Sequence, residues 1–480
     1  MFSTTHIWGR RYDARGDYMR RILVIPVVLA IVAFGTNGAL AGPLPPLATE
    51  GSRPLPVGVP ALPTDLLGVF DIDSTSLAVT DSDLADAGIL ATPQVLVSDP
   101  SMLVVDDDHL QCPNATFTSI NAAVLAASPN AKIRVCPGLY KESVLIPPTK
   151  PGLFLQAPRH QGEATECKTS ATPDPTQEAI VLYNATLNGG NPSEGFDIEA
   201  SSVVIEGFVV QPDPTFVTHD GVGIFASRFV SGWEVRHNVV QHNSMGMYLN
   251  SNGSLPSAVR ENCFRNNNLG GAAAGNGFYS DQGLHNARIE SNYFTGHTNA
   301  AIVVDTFLTT PSDVQITHNE TVNDAAIVVA DSADMIIDHN KVTNSAGSGI
   351  VLFIVDGGEV SYNSLQGGAF NGISFHFATN IEVKSNKTVG FGLSGVRIGD
   401  SSNYNTIETS QSQNNGEAGM QLTEQSSNNI VRNNHMTSNG VDCYDDTTGP
   451  YNPPALVANQ WINDMGQTQN RPGLCKHAAP

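Results

Sequence analysis

An asparagine returns along this chain on a regular beat, and that beat restricts the fold more than any other feature. A Val or Ile, two further residues and an Asn occur at Val235–Asn238, Val259–Asn262, Ile289–Asn292, Ile316–Asn319, Ile337–Asn340, Val360–Asn363, Val383–Asn386 and Val431–Asn434. Ile407–Ser410 fills one gap with Ser, and Ile205–Phe208 opens the series with Phe. The steps from Phe208 onward are 30, 24, 30, 27, 21, 23, 23, 24 and 24 residues. A unit of that length cannot bury its own apolar face, so consecutive units must stack into one continuous core.

A second beat runs inside the first. Gly349-Ile350, Gly372-Ile373, Gly395-Val396 and Gly419-Met420 each begin 9 residues after an Asn or Ser of the first series. Gly223, Gly246, Gly277, Ala301 and Ala326 are looser, earlier members. Each unit therefore reads as strand, Asn turn, strand, small-residue turn, strand, with period-two alternation inside the strands. Sustained helical periodicity is missing from this region. The expected fold is all-β, a parallel β-helix solenoid. Asn suits the turn because it tolerates left-handed backbone angles. Stacked on its counterpart one rung away, its amide also donates and accepts along the rod. Asn238, Asn262, Asn292, Asn319, Asn340, Asn363, Asn386 and Asn434 are thus expected to form a structural ladder, with no catalytic part. His237, His318 and His339 each precede a ladder Asn and read as turn-surface residues, not metal ligands.

The pattern resembles the right-handed parallel β-helix, or pectin-lyase-like, superfamily, whose repeat sets an Ile before an Asn and then a Gly-Ile. Ile337 to Ile350 and Val360 to Ile373 carry the resemblance best, and it spans about Val104 to Asn439. Cys112 to Val124 and Ile133 to Tyr140 look like the family's opening segment. There Ser119 to Ala127 would be a short capping helix with Ser119 or Thr118 as N-cap, and Ile133–Val135 and Val144–Ile146 would be the first strands.

The sequence divides into a leader at 1–41, a Pro-rich and acidic linker at 42–98, the β-helix at 99–440 and a C-terminal cap or tail at 441–480. Met19-Arg20-Arg21, the uncharged run Ile22 to Phe34 and Ala39-Leu40-Ala41 have the three parts of a secretory signal peptide, with Met19 an alternative start. Export points to a secreted, extracellular or cell-surface protein without stable membrane insertion after cleavage. The leader carries five Arg and two Asp, so its loss takes the formal charge from −22 to −25. That acidity argues against nucleic acid, whose backbone calls for a basic face. An anionic glycan would need bridging cations.

Six Cys in an exported chain suggest disulfides. Cys112 and Cys136 bracket the capping helix, and Cys443 and Cys475 bracket the C-terminal tail. Cys167 and Cys263 remain, and pair only if the loop around Cys167 runs along the rod. Neither a Cys-x-x-Cys nor a His-Glu-x-x-His zinc pattern occurs.

Chemistry in such a fold belongs to outward side chains. Just after the inward residue of each second strand stands a column of Phe225, Tyr248, Tyr279, Val303, Val328, Val351, Ser374, Arg397 and Gln421. Phe225, Tyr248 and Tyr279 on consecutive rungs suit stacking on sugar rings, with Arg397 a further substrate-binding candidate. The alternative is that Leu249 to Gly275, or the acidic N-terminal stretch, covers them. Carboxylates recur past those strands at Asp281, Asp305, Asp331, Asp400 and Glu424, with Asp356 near the series. Stacked carboxylates can serve as acid and base or hold calcium, although Asp is also an ordinary turn residue. Asp281 and Asp305, beside the aromatics, are the best catalytic candidates, and His219-Asp220 would add a proton carrier. The Gly-His-Gly of pectin hydrolases, the Arg-x-Pro-x-x-Arg of pectate lyases and the Asp-Pro-His of epimerases are all missing. Two readings follow: a carbohydrate-active enzyme of lyase or epimerase type acting on polysaccharide, or a non-catalytic glycan-binding or surface protein. A third is a periplasmic accessory protein like those that aid copper-enzyme assembly and share this repeat, which the lack of a Cys/Met/His cluster disfavours.

Overall fold

The computed structural model describes residues 102–477 apart from 159–166, 168–171, 185–192, 216–220, 272, 307, 326 and 424. The leader, the linker, His219, Asp220 and Glu424 lie outside the described residues. The described part belongs to one compact unit, Asp73–Pro480.

Strands from successive repeats pair in parallel, each with its counterpart one repeat on, so the chain coils with three faces. Among the described residues one face is a twelve-stranded sheet, and the other two join into a single sheet of 24 strands. The Val/Ile of the repeat stack directly, with Val235, Val259, Ile289, Ile316, Ile337, Val360, Val383, Ile407 and Val431 in register. All are buried, and they form one wall of a core that runs the length of the coil. Ile224, Met247, Phe278, Ile302, Ile327, Ile350, Ile373, Val396 and Met420 form the facing wall. The small-residue beat has a steric cause. A Cβ on Gly372 would stand 2.4 Å from the Gly395 carbonyl oxygen, and one on Gly349 2.6 Å from that of Gly372.

The Asn series does form a ladder. Asn238, Asn262, Asn292, Asn319, Asn340 and Asn363 each donate both the backbone N–H and Nδ2 to the Oδ1 of the next rung at 2.9–3.0 Å. Each Nδ2 also reaches a carbonyl of the rung before, as Asn340 does to Ile316 at 2.7 Å. Asn386 donates to Ser410, Ser410 to Asn434, and Asn434 to Asp464. The left-handed angle expected of Asn falls one residue earlier. His237, Glu261, Ser291, His318, His339, Tyr362, Ser385, Thr409 and Asn433 take φ between 52° and 57°. The preceding residue makes the turn, and the Asn spends its amide along the coil.

The ends are closed. Helix Ile120–Ala126 has Ser119 as N-cap and lays Ile120, Ala123 and Val124 on the first rung. Glu142 accepts from the Ile120 and Asn121 N–H groups at 2.7 and 3.0 Å. A strand at Leu103–Val105 precedes the helix and pairs with Lys132–Val135. The ladder runs past residue 440, since Val441–Asp445 pairs with Ala418–Leu422 and Gln460–Ile462 with Ile430–Arg432. Cys112–Cys136, Cys167–Cys263 and Cys443–Cys475 are disulfides, so Cys167 itself is tied to the rung of Cys263.

If the ladder carries the stack, Asn340→Ala should cost about 3 kcal/mol, because two donors of Asn319 and the Ile316 carbonyl lose their buried partner. Denaturant unfolding checks this, and a loss under about 1 kcal/mol, the net worth of one ordinary hydrogen bond, would show that the ladder is incidental.

Candidate functional site

Phe225, Tyr248, Tyr279, Val303, Val328, Val351, Ser374, Arg397 and Gln421 stand in register on adjacent rungs. Phe225, Tyr248 and Tyr279 are not part of the interior core cluster, as expected of outward positions. They are nevertheless buried. Their rings meet at tilted or edge-on angles, with centroids 5.3 Å apart for Phe225–Tyr248 and 5.5 Å for Tyr248–Tyr279. Of the two arrangements open to these rings, a stacking platform or a covered patch, their burial fits the covered patch. Alternation fixes which way a side chain points, but burial depends on what lies over it.

The buried phenols have a definite task. Two residues along each strand comes a second outward position, filled by Asn250, Asp281 and Asp305 on successive rungs. The Tyr248 hydroxyl donates to Asp281 Oδ1 at 2.5 Å and the Tyr279 hydroxyl to Oδ2 at 3.1 Å. Asn250 braces the same turn, its Oδ1 accepting from Ser280 Oγ and the Gln282 N–H at 3.0 Å each. Trp233 Nε1 in turn donates to the Asn250 carbonyl at 2.9 Å. The next rung brings in Asp305, whose N–H donates to the Ser280 carbonyl at 2.9 Å, while Oδ1 accepts from the Thr306 N–H at 2.7 Å. Asp281 is buried and Asp305 only half-buried, so the pair faces outward at Asp305.

Electrostatics follows from that placement. Burial pushes the Asp281 carboxyl up to about 6 against the opposing pull of the two phenols. Asp305 rises to about 7 through burial, with repulsion from Asp281 and Asp331 adding to it. Burial first, then the Asp281 charge, pushes both tyrosines well above the usual phenol range, so they remain hydrogen-bond donors. The outcome is two adjacent carboxyls that exchange protons near neutral pH.

Arg397 does not join them. It stands five rungs from Tyr279, about 24 Å at the usual spacing between strands. Its guanidinium instead pairs with Asp400 at 3.3 Å. Asp356 accepts from Thr379 and Asn380, an ordinary turn role. Both Asp281 oxygens are occupied by phenols, which makes it a poor calcium ligand. Among the described residues the close acidic grouping is Asp106, Asp107 and Asp108 at the entry to the coil. There Asp106 accepts from the Cys112 N–H and Asp107 from the Leu139 N–H, so both act as turn caps. The sequence pattern gave no role to His376, the second outward residue on the Ser374 rung, nor to the buried pair His297 and Asp324, joined at 2.9 Å.

The family model described as right-handed β-helix region matches residues 305–452. This chain contains a right-handed β-helix region. A second model, described as periplasmic copper-binding protein (NosD), matches residues 175–367 of the same β-helix. No curated protein matches the sequence. Solved structures similar to the β-helix include the periplasmic alginate epimerase AlgG, 11% identical over 70% of this chain and 77% of that one, with a TM-score of 0.35. Others are an alpha-1,3-glucanase from Streptomyces thermodiastaticus (12%, 73% and 66%, TM-score 0.44) and the Dettilon tailspike protein (12%, 72% and 65%, TM-score 0.49). Likenesses this distant carry nothing about substrate.

The raised carboxyls make a signed prediction. The folded chain binds more protons than the unfolded one between about pH 4 and the folded values near 6 and 7, so their ionisation lowers stability as pH rises through that window. The double variant Asp281→Asn, Asp305→Asn should therefore gain in melting temperature relative to wild type between about pH 4 and 7.5. A difference that stays constant across that range contradicts the shifts.

Proposed function

We propose that this β-helix protein acts on a polysaccharide outside the cell or at its surface, through acid–base chemistry at Asp281 and Asp305. The observation that carries the reading is Asp281 clamped by the Tyr248 and Tyr279 hydroxyls beside Asp305, with both carboxyls raised towards neutrality. A lyase or epimerase must take a proton from a sugar carbon next to a carbonyl group; a lyase then gives one to the leaving oxygen, an epimerase to the opposite face of the same carbon. Two neighbouring carboxyls raised towards neutral pH offer a base and an acid together. Half-buried Asp305 is the member that meets the sugar, its proton affinity raised by burial first and by repulsion from Asp281 second. The Tyr248 and Tyr279 hydroxyls each spend their one proton on Asp281 and hold it in place.

Export is supported by the leader at 1–41 and by three disulfides, which persist in oxidising compartments. The net charge of −22 favours a neutral or cation-bridged glycan over a bare polyanion. Glycan binding by ring stacking is not favoured, because Phe225, Tyr248 and Tyr279 present edges to one another and are buried. Copper handling is not favoured either, since all six Cys are tied up in disulfides and none offers a thiolate.

The test is a screen of the purified protein on uronate and neutral polysaccharides, following unsaturated product and solvent deuterium uptake into the sugar. Asp305→Asn should lower the rate by at least about 100-fold with the fold intact. Turnover that survives in Asp281→Asn and Asp305→Asn alike, or no turnover of any glycan by the wild type, counts against the assignment.

A further inference from the structure

Four rungs beyond Tyr279 the same outward column changes character. Val303, Val328 and Val351 fill the intervening rungs, and Ser374 follows. Ser374 and His376 are the two outward residues of strand Ile373–His376, which puts both side chains on one face. Asp400 follows strand Val396–Gly399 on the next rung, where Gly399 pairs with His376. Ser374 Oγ lies 2.9 Å from His376 Nε2, and His376 Nδ1 lies 2.6 Å from Asp400 Oδ2. The hydroxyl, the imidazole and the carboxylate stand in line, with the two ring nitrogens facing opposite partners.

The surroundings set the polarity of that line. Burial alone would raise the Asp400 carboxyl, but the His376 hydrogen bond and the charge of Arg397 outweigh it and hold the group below the usual carboxylate range. An ionised Asp400 can only accept, so His376 carries its proton on Nδ1 and turns the Nε2 lone pair towards the Ser374 hydroxyl. Arg397 is paired with Ser374 one rung on, and its Nη1 is 3.3 Å from Asp400 Oδ2. Gly399 makes room for that guanidinium, since a Cβ there would stand 2.5 Å from Nη1. Apolar neighbours include Val351, the register partner of Ser374, and Phe353, whose ring lies 6.5 Å from that of His376. Ser374 and His376 are buried, whereas Arg397 and Asp400 are partly exposed and form the rim.

A buried imidazole needs an acceptor for its Nδ1–H, and here that acceptor is a carboxylate kept ionised by Arg397. The valines on the three preceding rungs show that the fold fills this position with hydrocarbon when nothing more is required. A nucleophile in reach of a base, which is itself oriented by a third group, is the arrangement that activates serine.

We propose that Ser374, His376 and Asp400 form a second catalytic site, which hydrolyses small acyl esters, with Arg397 as the cation for the developing oxyanion. Ser374 Oγ attacks the ester carbonyl carbon while its proton passes to His376 Nε2. The carbon–oxygen bond to the alcohol breaks, and the alcohol leaves with that proton. Water then adds to the acyl carbon and gives a proton to His376, the acyl carbon–Oγ bond breaks, and His376 returns that proton to Ser374 Oγ as the carboxylic acid leaves. The apolar neighbours suit an acyl group of acetyl size, and the polar rim suits a sugar hydroxyl as the leaving alcohol. This site shares no residue with the Asp281–Asp305 pair, so either can fail without the other.

The experiment treats the full-chain protein with a fluorophosphonate and with p-nitrophenyl acetate. One phosphonyl group should add at Ser374 by peptide mapping, and ester hydrolysis should fall at least about 100-fold in Ser374→Ala and in His376→Gln. Asp400→Asn should slow hydrolysis and shift its pH profile, which loss of packing alone would not do. Because the label is read on wild-type protein, the result does not depend on any variant folding. Folded protein that takes no label at Ser374, or hydrolyses the ester as fast in Ser374→Ala, overturns the proposal.

Discussion

The carboxamide-to-carboxamide hydrogen bond between rungs is the interaction on which the rest of this structure depends. From Asn238 to Asn363 each Asn gives two donors to the oxygen of the next rung and reaches a carbonyl of the rung before. An amide buried beside a strand turn is costly without partners and stabilising with them. Each rung therefore satisfies its neighbour, and the register of the stack follows. The series ends on Asp464, whose carboxylate accepts both donors of Asn434. Its carboxyl is raised to about 6 by burial, against the pull of those same bonds. An acceptor-only group is a natural terminus for a chain of donors.

Once register is set, the outward positions become columns with defined spacing, and chemistry is decided by which side chains occupy neighbouring rungs. Tyr248, Tyr279, Asp281 and Asp305 come from three different repeats, and stacking alone brings them together. Ser374, His376 and Asp400 come from two repeats by the same means. Between the two groups the column is filled by Val303, Val328 and Val351. The solenoid thus separates two polar stations by an apolar stretch without any change in backbone plan. The longer steps of 30, 24, 30 and 27 residues occur at the tyrosine station, and the plainer 23- and 24-residue rungs carry the serine station.

Much of this was legible in the residues because the repeat is nearly exact. The inward Val/Ile wall, the ladder Asn and the outward column can all be numbered from spacing alone. The cover over Phe225, Tyr248 and Tyr279 could not, since alternation says which face a ring is on and nothing about what lies above it. The left-handed angle falls on His237, His318 and their equivalents and not on the Asn that residue type suggests, because the ladder geometry that employs the Asn amide is not local. Cys167 and Cys263 are 96 residues apart, and Cys167 lies outside the Asn repeat, so no period predicts their bond. His376 was readable in principle, as Ser-x-His followed by Asp 24 residues after the His, but only once rung register shows that Gly399 faces His376.

The central functional claim is that the coil holds two carboxyls near neutrality at Asp281 and Asp305. Difference infrared spectroscopy of the protonated carboxyl band, wild type against Asp281→Asn and Asp305→Asn across pH, measures that claim directly. The account predicts that each variant removes a band which in the wild type disappears between pH values of about 6 and 7. Both carboxyls fully ionised by about pH 5, as for ordinary aspartates, would contradict it.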